Sequence, residues 1–280
     1  MTTTLRPTEP LQQNTDGTRS RAYAVRVNSR HVGSLVLATR SATQSRVGVI
    51  RDLWIDAPDR RRGRATVAAL AAEEVLRSWG CTSVAVSVPA DADPALRMAR
   101  SLGYQETGRT MVKELPAGAP GLPAGSRSRP MTPDEFDDWL EPGIVEYAQR
   151  LVAPGMTPEQ GLAASRAEHA LMLPQGVDTP GTALVVLEGE EAGVLGTLWV
   201  GPCDLPGLGT VPYVWDVEVA AEHRGRGHGR TLMLLAEHAA LASAARSLGL
   251  YVIEGNTPAR RLYESLGYQD FAVKAVKALV

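Results

Sequence analysis

The sequence contains little cysteine and no long apolar run, and both shortages exclude classes of protein. Cys81 and Cys203 are the two cysteines among 280 residues, too few and too far apart for a disulfide framework or a metal site. No run of 18 apolar residues offers a membrane span. The first ten residues, MTTTLRPTEP, lack the basic and apolar regions of a signal peptide. We therefore expect a cytoplasmic protein that neither enters a membrane nor binds a metal.

Neither sign of charge is in large excess, although the two halves of the chain differ. Hydrophobic residues make up 44% and charged residues 21%, which excludes disordered and collagen-like chains. The net charge of −2 argues against a general nucleic-acid-binding protein. Residues 1–125 hold 17 Lys and Arg against 11 Asp and Glu, a net of +6, whereas residues 126–280 hold 12 against 20, a net of −8. The length suits one large domain or two modest ones.

An internal repeat favours two domains. Residues 52–104 match residues 216–268 without a gap at an offset of 164, with 17 identities in 53 positions, where average composition gives about 3 or 4. Between the copies, residues 116–130 are rich in proline and glycine and are predicted to be a linker. We therefore divide the chain into a first domain, 1–115, and a second domain, 131–280.

The second copy alternates between helix and strand signals, which predicts an α/β fold with a mixed sheet. Thr132-Pro-Asp-Glu135 and Thr157-Pro-Glu-Gln160 have the capping-box pattern of helix starts. The further predicted elements are a hairpin of 183–187 and 193–200 around Glu190-Glu191, a strand 214–219, a helix 229–248, a strand 250–253, a helix capped by Thr257-Pro258, and a strand 268–279. The first copy repeats this order from a hairpin of 23–27 and 32–38, without the opening helices.

The segment Arg224–Arg230, which we call the glycine loop, reads Arg-Gly-Arg-Gly-His-Gly-Arg after a predicted strand. Alternate glycines let the backbone turn tightly and expose N–H groups at a helix start, which together bind a phosphate or pyrophosphate. A tight turn with solvated arginines is the alternative. A dinucleotide-binding loop is disfavoured, because no acidic residue ends the next strand at the usual spacing of a ribose ligand. The nearest candidate at that strand end, Glu254, follows about 25 residues after the last glycine.

In the second copy, a strand, the glycine loop, a helix and a strand are followed in order by Asn256, Tyr263 and Gly267-Tyr268. This ordered pattern resembles the acetyl-CoA-binding core of the GNAT N-acetyltransferase superfamily. A weaker version occurs in the first copy. The resemblance implies two tandem GNAT folds, each with a mixed sheet that is splayed open at the strand before the loop.

The same resemblance assigns residues to acetyl-CoA. The pantetheine arm would take backbone hydrogen bonds in the splay, the pyrophosphate would meet the amides of Gly225–Arg230, and Asn256 would hydrogen-bond the arm. The cofactor-binding residues implied are Val217, Glu218, Val219, Arg224, Gly225, Arg226, Gly227, His228, Gly229, Arg230, Asn256 and Tyr263. Tyr263 would also act as the general acid that protonates the departing thiolate, for which a phenol of pKa about 10 is suited.

The base that deprotonates the acceptor amine has three possible identities. Asp216 and Glu218 alternate along the predicted strand and share one face unless a bulge shifts the register. Glu254 lies two residues before Asn256, and a water chain without a single base is a further alternative. Asp52 stands at the position of Asp216 in the first copy, which suggests a structural role for Asp216.

The first copy lacks the polar groups of this site. Its loop, Arg60–Arg64, keeps one arginine and one glycine of the pattern, so an anion could still dock there. Ala92 stands in place of Asn256 and Ala99 in place of Tyr263. The alternative is that these arginines form a solvated or nucleic-acid-binding patch. We therefore predict a degenerate first domain and a catalytic second domain.

The predicted function is N-acetylation of a primary amine, on a small molecule or a peptide, by direct attack on acetyl-CoA. A non-catalytic acyl-CoA-binding or regulatory protein is the alternative. Acidic residues concentrate on the first helix of the second domain, which predicts a cationic acceptor or, equally, stabilisation of the helix dipole. These residues are Asp134, Glu135, Asp137, Asp138, Glu141 and Glu146. His169 and His238 are expected to be ordinary residues on helix surfaces.

Overall fold

A computed structural model gives the fold of the chain. It describes residues 3–15, 17–40, 47–123, 125, 127–151, 157–189 and 193–279. Within these ranges, no helix is both long and apolar enough to cross a membrane.

Strands and helices alternate through most of the chain, as the hydrophobic spacing predicts. The strands are β1 (Thr3–Pro7), β2 (Gln12–Gln13), β3 (Arg19–Val27), β4 (Arg30–Thr39), β5 (Val47–Ile55), β6 (Ser83–Pro89), β7 (Gln105–Glu114), β8 (Arg127–Pro130), β9 (Ala183–Gly189), β10 (Gly193–Leu205), β11 (Gly209–Val219), β12 (Ser247–Ile253) and β13 (Gln269–Ala278). The helices are α1 (Arg64–Ser78), α2 (Asp93–Ser101), α3 (Pro133–Leu151), α4 (Pro158–Met172), α5 (His228–Ala242) and α6 (Thr257–Ser265).

The chain forms two compact units, and neither is a continuous stretch of sequence. The first unit comprises Met1–Thr107, Val145–Glu168 and Val273–Val280, and the second comprises Gly108–Ile144 and His169–Ala272. Most of β7, the last strand of the first copy, therefore belongs to the second unit. The C-terminal part of β13, the last strand of the second copy, belongs to the first.

The first unit contains an antiparallel run β1-β3-β4-β5, followed by β6, which is parallel to β5. The end of β13 lies against β6, where the amide of Leu279 donates to the carbonyl of Thr82 at 2.8 Å. One face of the sheet is covered by α1, whose Ala68, Ala72 and Leu76 lie in the core. No helix precedes β3 in the described N-terminal residues, as the short polar start of the sequence predicts.

The second unit repeats this arrangement with the strand order β8-β9-β10-β11-β12-β7. Its main core lies between this sheet and α5, around Leu232, Met233 and Leu250. The pairing of β7 with β12 runs from Gly108 opposite Ile253 to Glu114 opposite Ser247. The first copy thus supplies most of β7 to the sheet of the second unit.

Both predicted capping boxes are present. At the start of α3, the amide of Thr132 donates to Glu135 Oε2 at 2.9 Å, and the amide of Glu135 donates to Thr132 Oγ1 at 3.4 Å. At the start of α4, Thr157 and Gln160 exchange the same two bonds at 2.9 and 3.3 Å. Reciprocal satisfaction of helix-start amides explains why this local pattern identifies the helix.

The predicted ends of two helices and of the linker are wrong. The helix predicted to reach residue 248 ends at Ala242, because Ala244 adopts a left-handed conformation with φ of 59° and β12 begins three residues later. The cap of α6 is Asn256 rather than Thr257, since Asn256 Oδ1 accepts from the amide of Ala259. Residues 127–130, which the composition predicts to be part of the linker, form β8. The predicted turn at Glu190-Glu191 lies outside the described residues.

Each unit buries a Glu–Lys ion pair in which the two residues come from different copies. In the first unit, Lys277 Nζ donates to Glu73 Oε2 at 2.7 Å, and the hydroxyl of Tyr104 donates to Glu73 Oε1 at 3.0 Å. In the second unit, Lys113 Nζ donates to the fully buried Glu237 at 2.6 Å. The offset of 164 relates Lys113 to Lys277 and Glu73 to Glu237. The two exchanged strands therefore carry equivalent lysines to equivalent carboxylates.

Candidate active site

The sheet of the second unit opens beside β11. The parallel pairing of β11 and β12 comprises only Tyr213 with Gly249 and Val214 with Leu250, although β11 continues to Val219. On its other edge, β11 remains paired with β10 as far as Val219. Residues 217–219 therefore present backbone groups to an opening that β12 does not fill. The splay that the resemblance implies is present.

The glycine loop follows this strand and begins α5. Gly225 and Gly227 have φ values of 77° and 91°, which only glycine adopts without strain. A Cβ at either position would meet nothing within 4 Å, so the left-handed backbone conformation, rather than crowding, requires glycine. Gly227 is the N-cap of α5, and no side chain caps the helix. Helix-start amides without a side-chain cap can bind an anion.

The arginines of the glycine loop differ in their contacts. Arg224 Nε donates to the carbonyl of Val219 at 3.0 Å, which fixes the turn between strand and loop. Arg226 is exposed, and Arg230 Nη2 donates to the hydroxyl of Ser265 on α6. The amide of Arg230 donates to the carbonyl of Gly227 at 3.0 Å, so it is engaged in the helix turn. Two exposed cationic residues, Arg224 and Arg226, therefore precede the uncapped start of α5.

Two glycine-loop residues bring α5 close to its neighbours. A Cβ on Gly229 would lie 3.3 Å from Leu262 Cδ2, so the absence of a side chain lets α5 approach α6. The rings of His228 and His223 meet edge to face with centroids 6.3 Å apart. In the first unit the corresponding residues are Arg64 and Asp59, which form a buried ion pair. The second unit therefore has no carboxylate at this position beside its loop.

Asn256 is exposed at the end of β12. Its Oδ1 accepts from the amide of Ala259 at 3.2 Å, and this bond fixes the side chain as the N-cap of α6. The same bond leaves the amide nitrogen of the side chain as a donor. A shallow pocket adjoins Asn256 and is lined also by Glu254, Arg109 and Arg260. Asn256 thus offers an exposed side-chain donor at the start of α6.

Tyr263 lies on the buried face of α6. Its ring packs edge to face with Tyr268 at a centroid distance of 6.1 Å, within the main core of the second unit. Burial, followed by the negative charge of Asp216, raises the pKa of Tyr263 to about 12. The phenol therefore stays protonated through the physiological range and can donate a proton.

The three candidate bases occupy different environments. Asp216 and Glu218 lie opposite Trp199 and Thr197 in an unbroken register, so both carboxylates project from one face of β11. Asp216 is half-buried and acts electrostatically on Tyr263. Glu218 is exposed and lies 3.6 Å from Arg224. Glu254 is exposed beside Asn256. The position of Asp52 provides no structural parallel for Asp216, because Asp52 has a left-handed φ of 51°.

The loop of the first unit is held by internal contacts. Buried Asp59 pairs with buried Arg64 and accepts two bonds from Arg30 at 2.7 and 2.8 Å. Arg60 donates to the carbonyl of Ile55 and lies 4.2 Å from the ring centroid of Trp54. Two of the four arginines that suggested a basic patch are therefore bound within the unit.

The second unit contains an aromatic cluster that the sequence does not predict. Trp199 lies at its centre, 5.7 Å from Trp139, 5.8 Å from His169 and 6.1 Å from Trp215 between ring centroids. The prediction that His169 is an ordinary surface residue is wrong, because its side chain is buried against Trp199. These residues are distant in sequence, and only the concentration of tryptophan in the second copy hinted at the cluster.

The splayed sheet, the glycine loop and the repeat together define a tandem acetyltransferase fold. The profile of the Acetyltransferase (GNAT) family matches this chain twice, over residues 2–104 and 151–268. The protein belongs to the GNAT acetyltransferase family and is an acetyl-CoA-dependent acyltransferase built from two tandem GNAT folds.

Similar proteins include acetyltransferases that match about half and about three quarters of this chain. The uncharacterized N-acetyltransferase YycN of Bacillus subtilis is 29% identical over 151 residues, which cover 54% of this chain and 96% of that protein. The mycothiol acetyltransferase of Thermomonospora curvata is 30% identical over 222 residues, covering 77% of this chain and 69% of that protein.

Solved structures show the same fold at lower identity. A tandem GNAT protein from the clavulanic acid biosynthesis pathway superposes with a TM-score of 0.55 and 19% identity, covering 95% of this chain and 85% of that one. A GCN5-related N-acetyltransferase from Sphaerobacter thermophilus gives a TM-score of 0.57 and 21% identity, covering 92% of this chain and 80% of that one.

Proposed function

We propose that the second unit transfers the acetyl group of acetyl-CoA to a primary amine of a small molecule or peptide, and that the first unit is not catalytic. The observation that carries this proposal is the buried phenol of Tyr263 on α6, whose pKa is raised to about 12 by burial and then by the negative charge of Asp216. The first unit has the same splay, since β5 and β6 pair only as far as Ile50 and Val86. It has Ala99 where the second unit has Tyr263, so no side chain there can supply the proton.

Three groups of the second unit are suited to hold acetyl-CoA. The backbone of residues 217–219 can pair with the pantetheine amides along the edge that β12 leaves open. The uncapped start of α5, with Arg224 and Arg226 beside it, can bind the pyrophosphate. The side-chain amide nitrogen of Asn256 can donate to a carbonyl of the arm. An elongated ligand such as acetyl-CoA could contact these three groups in turn.

The chemistry then requires one base and one acid. The base takes a proton from the acceptor ammonium, and the neutral nitrogen attacks the thioester carbonyl to form a tetrahedral intermediate. As the intermediate collapses, the carbon–sulfur bond breaks and Tyr263 donates its proton to the departing thiolate. The positively charged nitrogen of the adduct then gives up one proton, which restores the phenol and leaves a neutral amide. We assign the base to Asp216, because its charge reaches Tyr263, whereas Glu218 is exposed and ion-paired with Arg224.

This assignment links the two proton transfers. The negative charge of Asp216 contributes to the raised pKa of Tyr263. When Asp216 accepts the proton of the amine, that charge disappears and the phenol becomes a stronger acid. The acid is therefore strengthened at the stage when the leaving thiolate needs a proton.

A thiol-release assay with purified protein tests the proposal. Acetyl-CoA is offered with polyamines, aminoglycosides, amino acids and peptide amines, and we expect amine-dependent release of CoA with at least one class. Tyr263→Phe should lower kcat by about 100-fold, the lower end of general-acid contributions, and leave acetyl-CoA affinity nearly unchanged. Binding of acetyl-CoA without turnover across the panel would instead support a non-catalytic acyl-CoA-binding protein.

A further inference from the structure

We propose that Trp215 is a cation-binding surface that selects acceptors carrying a second, protonated nitrogen, such as diamines and polyamines. This inference rests on the proposed function, because it names the acceptor class of the same site. It is carried by the backbone geometry of β11, by the support beneath the indole ring and by the charge on the same face of the sheet.

A β-bulge places Trp215 on the face of the sheet that carries Asp216. In the pairing of β11 with β10, Trp199 lies opposite Asp216 and Val200 lies opposite Val214, so Trp215 is the extra residue of the bulge. Directly opposed residues of an antiparallel pair share a face, which places Asp216 on the side of Trp199. The ring of Trp215 lies 6.1 Å from that of Trp199, and it therefore projects to this side as well.

The indole ring of Trp215 is supported on its inner side. A Cβ on Gly201 would lie 3.3 Å from Cδ1 and Nε1 of Trp215, so the missing side chain lets the ring approach β10. The ring of Tyr213 lies 4.8 Å away and is buried, as is Trp199. Trp215 itself remains 38% exposed. The aromatic cluster thus ends in one fixed ring that is partly open to solvent beside the proposed base.

The surroundings favour a cation over an uncharged group on this ring. Asp216 and Glu218 project from the same face of β11. Trp139, which contacts Trp199, belongs to α3, and α3 also exposes Asp137 and Asp138. Trp binds cations more strongly than the other aromatic residues, and nearby carboxylates add to this attraction.

The first unit shows the same interaction with a cation already in place. Trp54 is exposed on β5, and the guanidinium carbon of Arg60 lies 4.2 Å from its ring centroid. No such contact with an Arg or Lys occurs at Trp215 among the described residues. Trp54 is therefore a matched control, an exposed tryptophan whose cation is supplied by the chain itself.

The bound cation cannot be the nitrogen that attacks, because the attacking nitrogen must be neutral. Trp215 directly precedes Asp216, so a charged nitrogen on the ring lies close to the group that deprotonates the other nitrogen. A flexible diamine can satisfy both positions, whereas a monoamine of the same length satisfies only one. The inference therefore predicts discrimination between two such acceptors.

The kinetic test compares 1,4-diaminobutane with 4-aminobutan-1-ol, which differ by one amine. We expect kcat/KM to favour the diamine by about 5- to 30-fold, the range of a partly desolvated cation–π contact. Trp215→Leu should abolish this preference by weakening turnover of the diamine, and Trp215→Phe should retain part of it. Trp54→Leu, the control, should leave the preference unchanged. An equal preference in the wild-type protein and Trp215→Leu would overturn the inference.

A binding measurement separates this inference from the proposed function. Spermidine binding is measured by equilibrium dialysis in the presence of CoA, which needs no turnover. Saturable spermidine binding that is lost in Trp215→Leu and kept in Trp54→Leu supports the inference. It does so even if 1,4-diaminobutane and 4-aminobutan-1-ol are not acetylated, because the lack of acetylation contradicts only the proposed function. Acetylation of 4-aminobutan-1-ol on its amine, without any preference for the diamine, would support the proposed function and overturn the inference. The absence of spermidine binding would also overturn the inference.

Discussion

The carboxylate of Asp216 acts on the phenol of Tyr263, although the first residue lies on β11 and the second on α6. Burial raises the pKa of Tyr263 most, and the negative charge of Asp216 raises it further, to about 12. Asp216, on the strand that borders the splay, is thereby coupled to Tyr263 in the main core of the second unit. This coupling can be measured without knowledge of the acceptor.

Asp216→Asn should lower the pKa of Tyr263, because the amide carries no charge while burial persists. The measurement is a pH titration of tyrosinate by ultraviolet difference absorbance, with Tyr263→Phe subtracted to isolate the single phenol. With an amine that serves as acceptor, the same variant should lower kcat, since it also removes the proposed base. An unchanged titration in Asp216→Asn would contradict the coupling.

The raised pKa of Tyr263 also predicts how stability depends on pH. An unfolded tyrosine loses its proton near pH 10, whereas folded Tyr263 keeps it to about 12. The stabilising contribution is therefore fully present below pH 10 and is lost as the pH rises from about 10 to 12. Urea denaturation across this range should show a steeper alkaline loss in the wild-type protein than in Tyr263→Phe. Equal slopes would show that the phenol titrates normally.

Gly227→Ala should weaken acetyl-CoA binding. The residue has a φ of 91°, and an alanine in the left-handed region costs about 1–2 kcal/mol. Relief of that strain would rotate the loop amides away from a bound pyrophosphate. We expect the dissociation constant of acetyl-CoA, measured by calorimetry, to rise by about tenfold.

The matched control for this variant is Gly63→Ala in the first unit. Gly63 has a φ of 71° and is the N-cap of α1, so the backbone strain is comparable. If acetyl-CoA binds only in the second unit, Gly63→Ala should lower stability without changing the dissociation constant. An equal loss of affinity in both variants would place a cofactor in the first unit as well.

Local sequence signals predicted those features that depend on neighbouring residues. The capping boxes of α3 and α4 satisfy amides within one turn, and the glycine loop adopts left-handed angles that its glycines allow. The end of α5 was misplaced by six residues, because apolar residues continue at helical spacing beyond Ala242. A single left-handed residue, Ala244, ends the helix, and alanine itself gives no signal for that conformation.

The exchange of β7 and β13 could not be predicted from the sequence. Both strands follow the same four residues, Ser-Leu-Gly-Tyr, and this shared segment does not indicate which sheet each strand joins. The equivalence of Lys113 and Lys277 was visible at the repeat offset, but a lysine in a strand gives no indication of a buried partner. The aromatic cluster was equally hidden, since its members meet only through the register of β10 and β11.

The two buried glutamates predict different effects of removing the neighbouring tyrosine hydroxyl. Tyr104→Phe should cost about 1–3 kcal/mol, because it leaves one oxygen of Glu73 unpaired. Tyr268→Phe should be nearly neutral, because the Tyr268 hydroxyl and Glu237 Oε2 are buried without a hydrogen-bond partner in the described part of the chain. Urea denaturation of both variants gives the comparison. If Tyr268→Phe lowered the free energy of unfolding as much as Tyr104→Phe does, the proposed difference in hydrogen bonding between the two tyrosine hydroxyls would be contradicted.

The exchange of strands predicts that the two halves of the chain complement each other. Fragment 126–280 lacks β7, so the edge of β12 from Ser247 to Ile253 would lose its partner, and unpaired strand edges promote aggregation. Fragment 1–125 lacks the end of β13 that lies against β6 and the lysine that pairs with Glu73. A buried carboxylate without its partner is strongly destabilising.

We expect each fragment expressed alone to be poorly soluble, and co-expression to yield a soluble complex with acetyltransferase activity. Lys113→Met and Lys277→Met should each weaken the complex, because each removes one of the exchanged ion pairs. A fragment 126–280 that is well folded and fully active by itself would contradict the prediction, since its sheet would then need no strand from the first copy.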